Sequence, residues 1–106
     1  MAPYMAYNAL MPKAELIFKE KLVFPDAAIM EGVIWRLPQS SAERPHGLKY
    51  RLYYGKEGER IVGYDNENGK GDHRHDRNQE QAYHFTSVEK LVADFLADVR
   101  RERGEL

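Results

Sequence analysis

Apolar and polar residues alternate through most of this chain, and the pattern changes to a helical period only near its end. From Lys13 to Phe24 the apolar residues Ala14, Leu16, Phe18, Leu22 and Phe24 recur at every second position, broken once by Glu20. A period of two marks a strand, because successive side chains point to opposite faces. Lys, Glu and Leu also favour helices, so a helix is the rival reading of this run. Pro25-Asp26 makes a turn, and Ile29, Val33, Trp35 and Leu37 then lie on one face of a second strand. Residues 38–46 carry Ser, Gln and Pro without an apolar period and read as a loop. Leu48, Tyr50, Leu52 and Tyr54 alternate with Lys49, Arg51 and Tyr53 in the clearest strand of the chain. After the turn Gly55-Lys56-Glu57-Gly58, residues Arg60 to Tyr64 return as its partner.

Asn66 to Gln79 is almost devoid of apolar residues and reads as a long loop, or as a hairpin with a polar tip. Tyr83-His84-Phe85 is expected to form a short last strand. Thr86-Ser87-Val88-Glu89 fits a capping box, with Thr86 as the cap and Glu89 reaching back. Val88, Leu91, Val92, Phe95, Leu96 and Val99 follow at helical spacing. Three arginines at 100, 101 and 103 suit the negative end of the helix dipole, and Gly104 ends the helix. The expectation is therefore an α+β fold: an antiparallel β-sheet of about five strands followed by one C-terminal amphipathic helix near Ser87 to Arg103. Residues 1–12 have no periodic pattern and read as a flexible N-terminal arm, with residues 13–104 as a single domain.

Composition narrows the function more by exclusion than by assertion. A length of 106 residues suits one domain, and 42% hydrophobic with 31% charged residues is ordinary for a folded chain. There is no cysteine, which rules out disulfides and thiolate metal sites. No apolar run is long enough to span a bilayer, so no membrane partner and a cytoplasmic location are expected. The net charge of −1 gives no global attraction to nucleic acid. Lys49, Arg51, Arg60, Lys70, Arg74 and Arg77 nevertheless concentrate positive charge in the middle of the chain.

The segment from Tyr64 to His75 is the one loaded with chemistry. His73 and His75 share one side if their segment is extended, with Asp72 and Arg74 on the other. Paired imidazoles suit proton transfer near neutral pH, or a transition metal with Asp65 or Asp72 as a third ligand. A solvated hairpin tip of mixed charge explains the same residues. Gly69-Lys70-Gly71 lacks the spacing of a phosphate-binding P-loop, and no cofactor motif is present. Trp35, Tyr50 and Tyr54 read as core, and His46 and His84 as structural. Lys49, Arg51 and Tyr53 form a cation–aromatic face that suits either plain solvent or a nucleic-acid strand.

Lys13-Ala14-Glu15-Leu16, Val33-Ile34-Trp35-Arg36, Lys49-Tyr50-Arg51-Leu52 and, above all, Tyr64-Asp65-Asn66 followed by Gly69-Lys70-Gly71-Asp72-His73-Arg74-His75 resemble the TumE-like family. The resemblance runs from about Lys13 to Val99. It implies a small bacterial toxin of a type II toxin–antitoxin pair, a helix-turn-helix antitoxin as partner, and RNA cleavage as the proposed activity. The site roles come from chemistry instead. His73 and His75 are the acid–base candidates, with Asp72 or Asp65 orienting an imidazole. Lys70 and Arg74 would stabilise phosphate, while Arg51 and Lys49 would position the RNA, all without a metal. Both histidines should be solvent-accessible. Two other readings stand beside this one: a non-catalytic protein-binding module, and a metal-binding protein or metal-dependent nuclease using the His-x-His loop.

Overall fold

The computed structural model describes residues 14–67 and 69–105; the expected N-terminal arm lies outside them. Six strands follow one another as β1 (Glu15–Val23), β2 (Ile29–Arg36), β3 (Leu48–Lys56), β4 (Glu59–Asp65), β5 (His73–Asp76) and β6 (Gln79–Ala82), and then comes the helix α1 (Val88–Arg103). Each strand pairs antiparallel with the next, so the sheet is a meander in chain order. The α+β expectation holds, with β1 a strand rather than a helix.

The count of six instead of about five comes from the polar segment. It folds as the hairpin β5–β6, turning at Arg77, whose φ is 55°. The Arg77 amide donates to Ile61 O at 2.9 Å and its guanidinium grips Glu102 at 2.7 Å. Backbone pairing and ion pairs thus stabilise a hairpin that has no apolar pattern to announce it. Tyr83-His84-Phe85 is not a strand: the Phe85 ring packs against His46 at a tilt of 40°, with centroids 4.2 Å apart, and Tyr83 donates to Asp94 at 2.7 Å. These contacts carry the chain in extended form to Ser87, which caps α1 by accepting from the Lys90 amide at 3.0 Å. The cap is therefore one residue later than Thr86, and Glu89 contributes only its charge in the first turn. Gly104, at φ 74°, closes the other end.

The core lies between α1 and one face of the sheet. Leu48, Tyr50, Leu52 and Tyr54 of β3 are buried there with Ile34, Val62, Tyr64, Leu91, Phe95 and Val99. Trp35 does not belong to this core. In the run Val33-Ile34-Trp35 the alternation cannot choose a side, and pairing of Ile34 with Tyr50 sends Val33 and Trp35 to the opposite face. A register shift between Leu16 and Phe18 likewise turns Leu16 outward, leaving it 46% exposed, while Ile17 and Phe18 pack on the core.

The β3–β4 turn places Glu57 and Gly58 at φ 54° and 80°. Positive φ at both positions is the turn geometry that Asn-Gly favours, and it is costly for Glu. Glu57→Asn is expected to stabilise the fold by about 0.5 kcal/mol, visible as a higher midpoint in urea.

Candidate functional site

Register decides which residues of the polar segment meet. Asp65 stands opposite His73 and Gly63 opposite His75, so both histidines project from the face of the sheet that α1 leaves open. Asp72 and Arg74 pass through to the helix side, as the alternation of an extended segment requires.

On the open face a small polar cavity of about 160 Å³ is lined by Arg60, Asp65, Lys70, His73, His75 and Glu80. His75 Nε2 lies 3.0 Å from Asp65 Oδ2, and its Nδ1 lies 3.0 Å from Arg60 Nη2. A guanidinium can only donate, so Nδ1 is the accepting nitrogen and Nε2–H donates to the carboxylate. Asp65 thus orients this imidazole. His73 is held differently: its Nδ1 lies 2.8 Å from Gly71 O and must donate to it, which leaves Nε2 as the nitrogen with a lone pair. That nitrogen is 3.6 Å from Glu80 Oε2, beyond a proper hydrogen bond. The side chains of His73 and His75 are 16% and 12% exposed, so they are much less accessible than a polar tip implies. Their neighbours are polar groups rather than apolar ones, and the backbone pairing of β5 between β4 and β6 draws these in.

Glycine makes room for part of this arrangement. A Cβ on Gly63 would stand 2.7 Å from Arg60 Cδ, so the Arg60 side chain lies across Gly63 to reach His75. Arg51 is the cross-strand neighbour of Asp65 on the same face, with its guanidinium 5.1 Å from the centre of the Tyr53 ring. Lys49 is exposed on that face beside Trp35.

Asp72 and Arg74 serve other groups. Asp72 does orient an imidazole, but that of His46: His46 Nδ1 accepts from the Leu48 amide at 3.1 Å, and Nε2 meets Asp72 Oδ1 at 3.0 Å. Tyr50 donates to the same oxygen at 2.6 Å. Burial, reinforced by the hydrogen bond to Asp72 and its charge, pushes the Tyr50 hydroxyl far above its ordinary range, so it stays a donor. Arg74 does not face phosphate. It donates to Asp98 at 2.8 Å and to Tyr64 at 3.1 Å beneath the helix. Its pKa is raised, first by the Asp98 hydrogen bond. Asn66 completes the set: it accepts from the Tyr50 amide at 3.1 Å and donates to Leu48 O at 2.9 Å, standing in for a missing strand where β4 leaves β3.

Of the residues singled out in the sequence, His73, His75, Asp65 and Lys70 converge, Arg51 and Lys49 flank them, and Asp72 and Arg74 do not join. His46 does read as structural in the sequence, but its partner, and the places of Arg60 and Glu80 beside the histidines, escaped the sequence reading. Arg60 and Glu80 reach the histidines only through the register of β4 and of β6, and His46 only through a contact 26 residues away. Among the described residues no group of three His, Asp or Glu side chains is placed to hold a metal ion, and none of the described helices is long and apolar enough to cross a membrane.

Comparison with curated proteins and with solved structures returned no match. The family profile described as Toxin TumE matches residues 10–103. That span takes in every strand, the helix and the whole polar cavity, and the chain belongs to the TumE toxin family.

Proposed function

We propose that this toxin acts on RNA as a metal-independent ribonuclease, and that the cavity of His73 and His75 is its catalytic centre. The observation that carries the reading is two imidazoles on one sheet face with complementary roles. His73 presents a free Nε2 lone pair, and His75 is oriented by Asp65 with its Nδ1 toward Arg60. His73 would take the proton of a 2′-hydroxyl as that oxygen attacks the adjacent phosphorus. His75, protonated at Nδ1, would give a proton to the departing 5′-oxygen. Arg60 would leave His75 and, with Lys70, neutralise the phosphorane, while Arg51 and Lys49 hold the strand.

Toxin-family membership implies an antitoxin, and we read the partner as a helix-turn-helix protein encoded beside it that neutralises the toxin in the cytoplasm. The alternative, a protein-docking module without catalysis, draws its support from the full hydrogen bonding of His75 at rest. Expression of the chain alone and together with the neighbouring gene separates the two. Growth arrest with fragmented RNA is expected for the chain alone, unaffected by a chelator in cell-free assay, and rescue is expected when the pair is expressed. Arrest with intact RNA would exclude the ribonuclease.

A further inference from the structure

The open face of the sheet continues well beyond the histidine cavity, and strand pairing orders it into two rows that run across the strands. Lys19, Val33, Arg51, Asp65 and His73 are successive cross-strand neighbours in one row. Lys21, Glu31, Tyr53, Gly63 and His75 form the other. Each histidine is thus connected by register to a lysine on β1, across four strand spacings or about 19 Å. A second, open cavity of about 510 Å³ lies at the lysine end, lined in part by Lys19, Lys21, Val33 and Arg51.

The aromatic groups of this face are set for stacking. Tyr53 lies down along its strand: a Cβ on Gly55 would collide with its ring carbon and hydroxyl, so the absence of a side chain there is what lets the ring lie over the backbone. The Arg51 guanidinium lies over this ring, 5.1 Å from its centre, and a base would share the ring with it or displace it. Trp35 stands on the same face, next to Lys49. The charge is one-sided as well. Among the described residues Lys19, Lys21, Lys49, Arg51, Arg60 and Lys70 face this side and outnumber its carboxylates, Glu31, Asp65 and Glu80, with Glu20 at the rim of the lysine-end cavity. Glu31 is 3.9 Å from Arg51, Asp65 is bonded to His75, and Glu80 faces His73. A chain with net charge −1 therefore presents a locally cationic surface here.

We propose that this face is a track for single-stranded RNA, running across the strands from His73 and His75 to Lys19 and Lys21. Bases stack on Tyr53 and Trp35, while Lys19, Lys21, Lys49 and Arg51 take the phosphates. Single strands fit because a half-buried aromatic ring on a sheet face needs an unpaired base face, whereas a duplex hides its base faces and would meet the sheet through phosphates alone. The proposal rests on the reading that the toxin acts on RNA, and it is tested by binding so that cleavage is judged separately.

The protein for the assay carries His73→Ala and His75→Ala, so that bound RNA is not cut. Fluorescence anisotropy measures its affinity for a labelled oligouridylate and for a blunt RNA duplex of equal length. The single strand should bind more tightly. Adding Tyr53→Ala should weaken single-strand binding by about five- to a hundredfold. Adding Lys19→Gln with Lys21→Gln should reduce the slope of log affinity against log salt by about 1.4. Both lysines are exposed, and thermal melting verifies that each variant is folded. Equal or better duplex binding, or single-strand affinity indifferent to these substitutions, would overturn the track. So would a face that binds the antitoxin and no RNA. A wild-type protein that binds along the track yet leaves RNA intact would refute the ribonuclease and leave the track standing.

Discussion

Replacing both His73 and His75 with alanine is expected to abolish toxicity and RNA cleavage while the protein remains folded. Loss of a single general acid or base lowers a rate by about 10²- to 10⁴-fold, and the two losses are not additive when the groups act in one step. Neither side chain enters the apolar core, so the cost in stability should stay near 1 kcal/mol, the usual size for a substitution outside it. Asp65→Asn should follow His75→Ala in direction with a smaller effect, because it keeps the shape and weakens only the orientation of one ring. Glu67→Ala should leave the rate unchanged. Single-turnover cleavage with matched melting curves makes the measurement. Undiminished growth arrest in the folded double variant would remove the histidines from catalysis.

Asp98→Ala is expected to produce the largest loss of stability, about 3–5 kcal/mol, because it leaves buried partners of an ion pair uncompensated. Asp98 is a residue of α1 only 6% exposed, and it accepts from Tyr64 at 2.6 Å, Arg74 at 2.8 Å and Arg101 at 2.9 Å. Burial pushes its carboxyl pKa up, but the hydrogen bonds from Arg74, Tyr64 and Arg101 outweigh that and hold it below the ordinary 3.8. A carboxyl whose folded pKa is depressed stabilises the fold fully above its unfolded pKa. That contribution fades as pH falls through the folded value. Acid should therefore destabilise the wild type below about pH 4, and Asp98→Asn should blunt this dependence. Asp94 and Glu102, also depressed, share the same limb. Urea melts across an acid series test this, and a wild type and Asp98→Asn with the same acid slope would contradict it. Arg74→Ala belongs with this prediction: it should unsettle the packing of helix on sheet rather than the handling of phosphate.

Much of the architecture was legible because alternation and helical period are backbone geometry written in side chains. The run Leu48 to Tyr54 and the apolar stripe Val88 to Val99 needed no tertiary information. Where three apolar residues stand together, as in Val33-Ile34-Trp35, the pattern holds no preferred side, and only cross-strand pairing assigns Trp35 to the open face. The hairpin of β5 and β6 was open as a possibility but invisible to hydrophobic periodicity, since polar contacts and backbone pairing hold it. The candidate site was legible to the same degree. His73 and His75 stand two positions apart, with Arg74 between them, and that spacing puts them on one side of a strand. Asp72 and Arg74 carried ionisable groups of the right kind, but the same alternation sent them to His46 and Asp98. Arg60 and Glu80 required knowing the register of two further strands, a long-range fact with no local signature.

The chain order of these elements also bears on when the core can close. Every strand pairs with its immediate predecessor, so hairpins can close one after another as the chain leaves the ribosome. The apolar side of that meander, with Tyr50, Leu52, Tyr54 and Tyr64, stays uncovered until residues 88–103 have followed. Contacts such as Arg103 to Asp26, 77 residues apart, form only then. Until that moment the growing product is a sheet with a bare hydrophobic side, prone to sticking. Because the covering helix follows all six strands, the core of this fold closes only when its last element has been made.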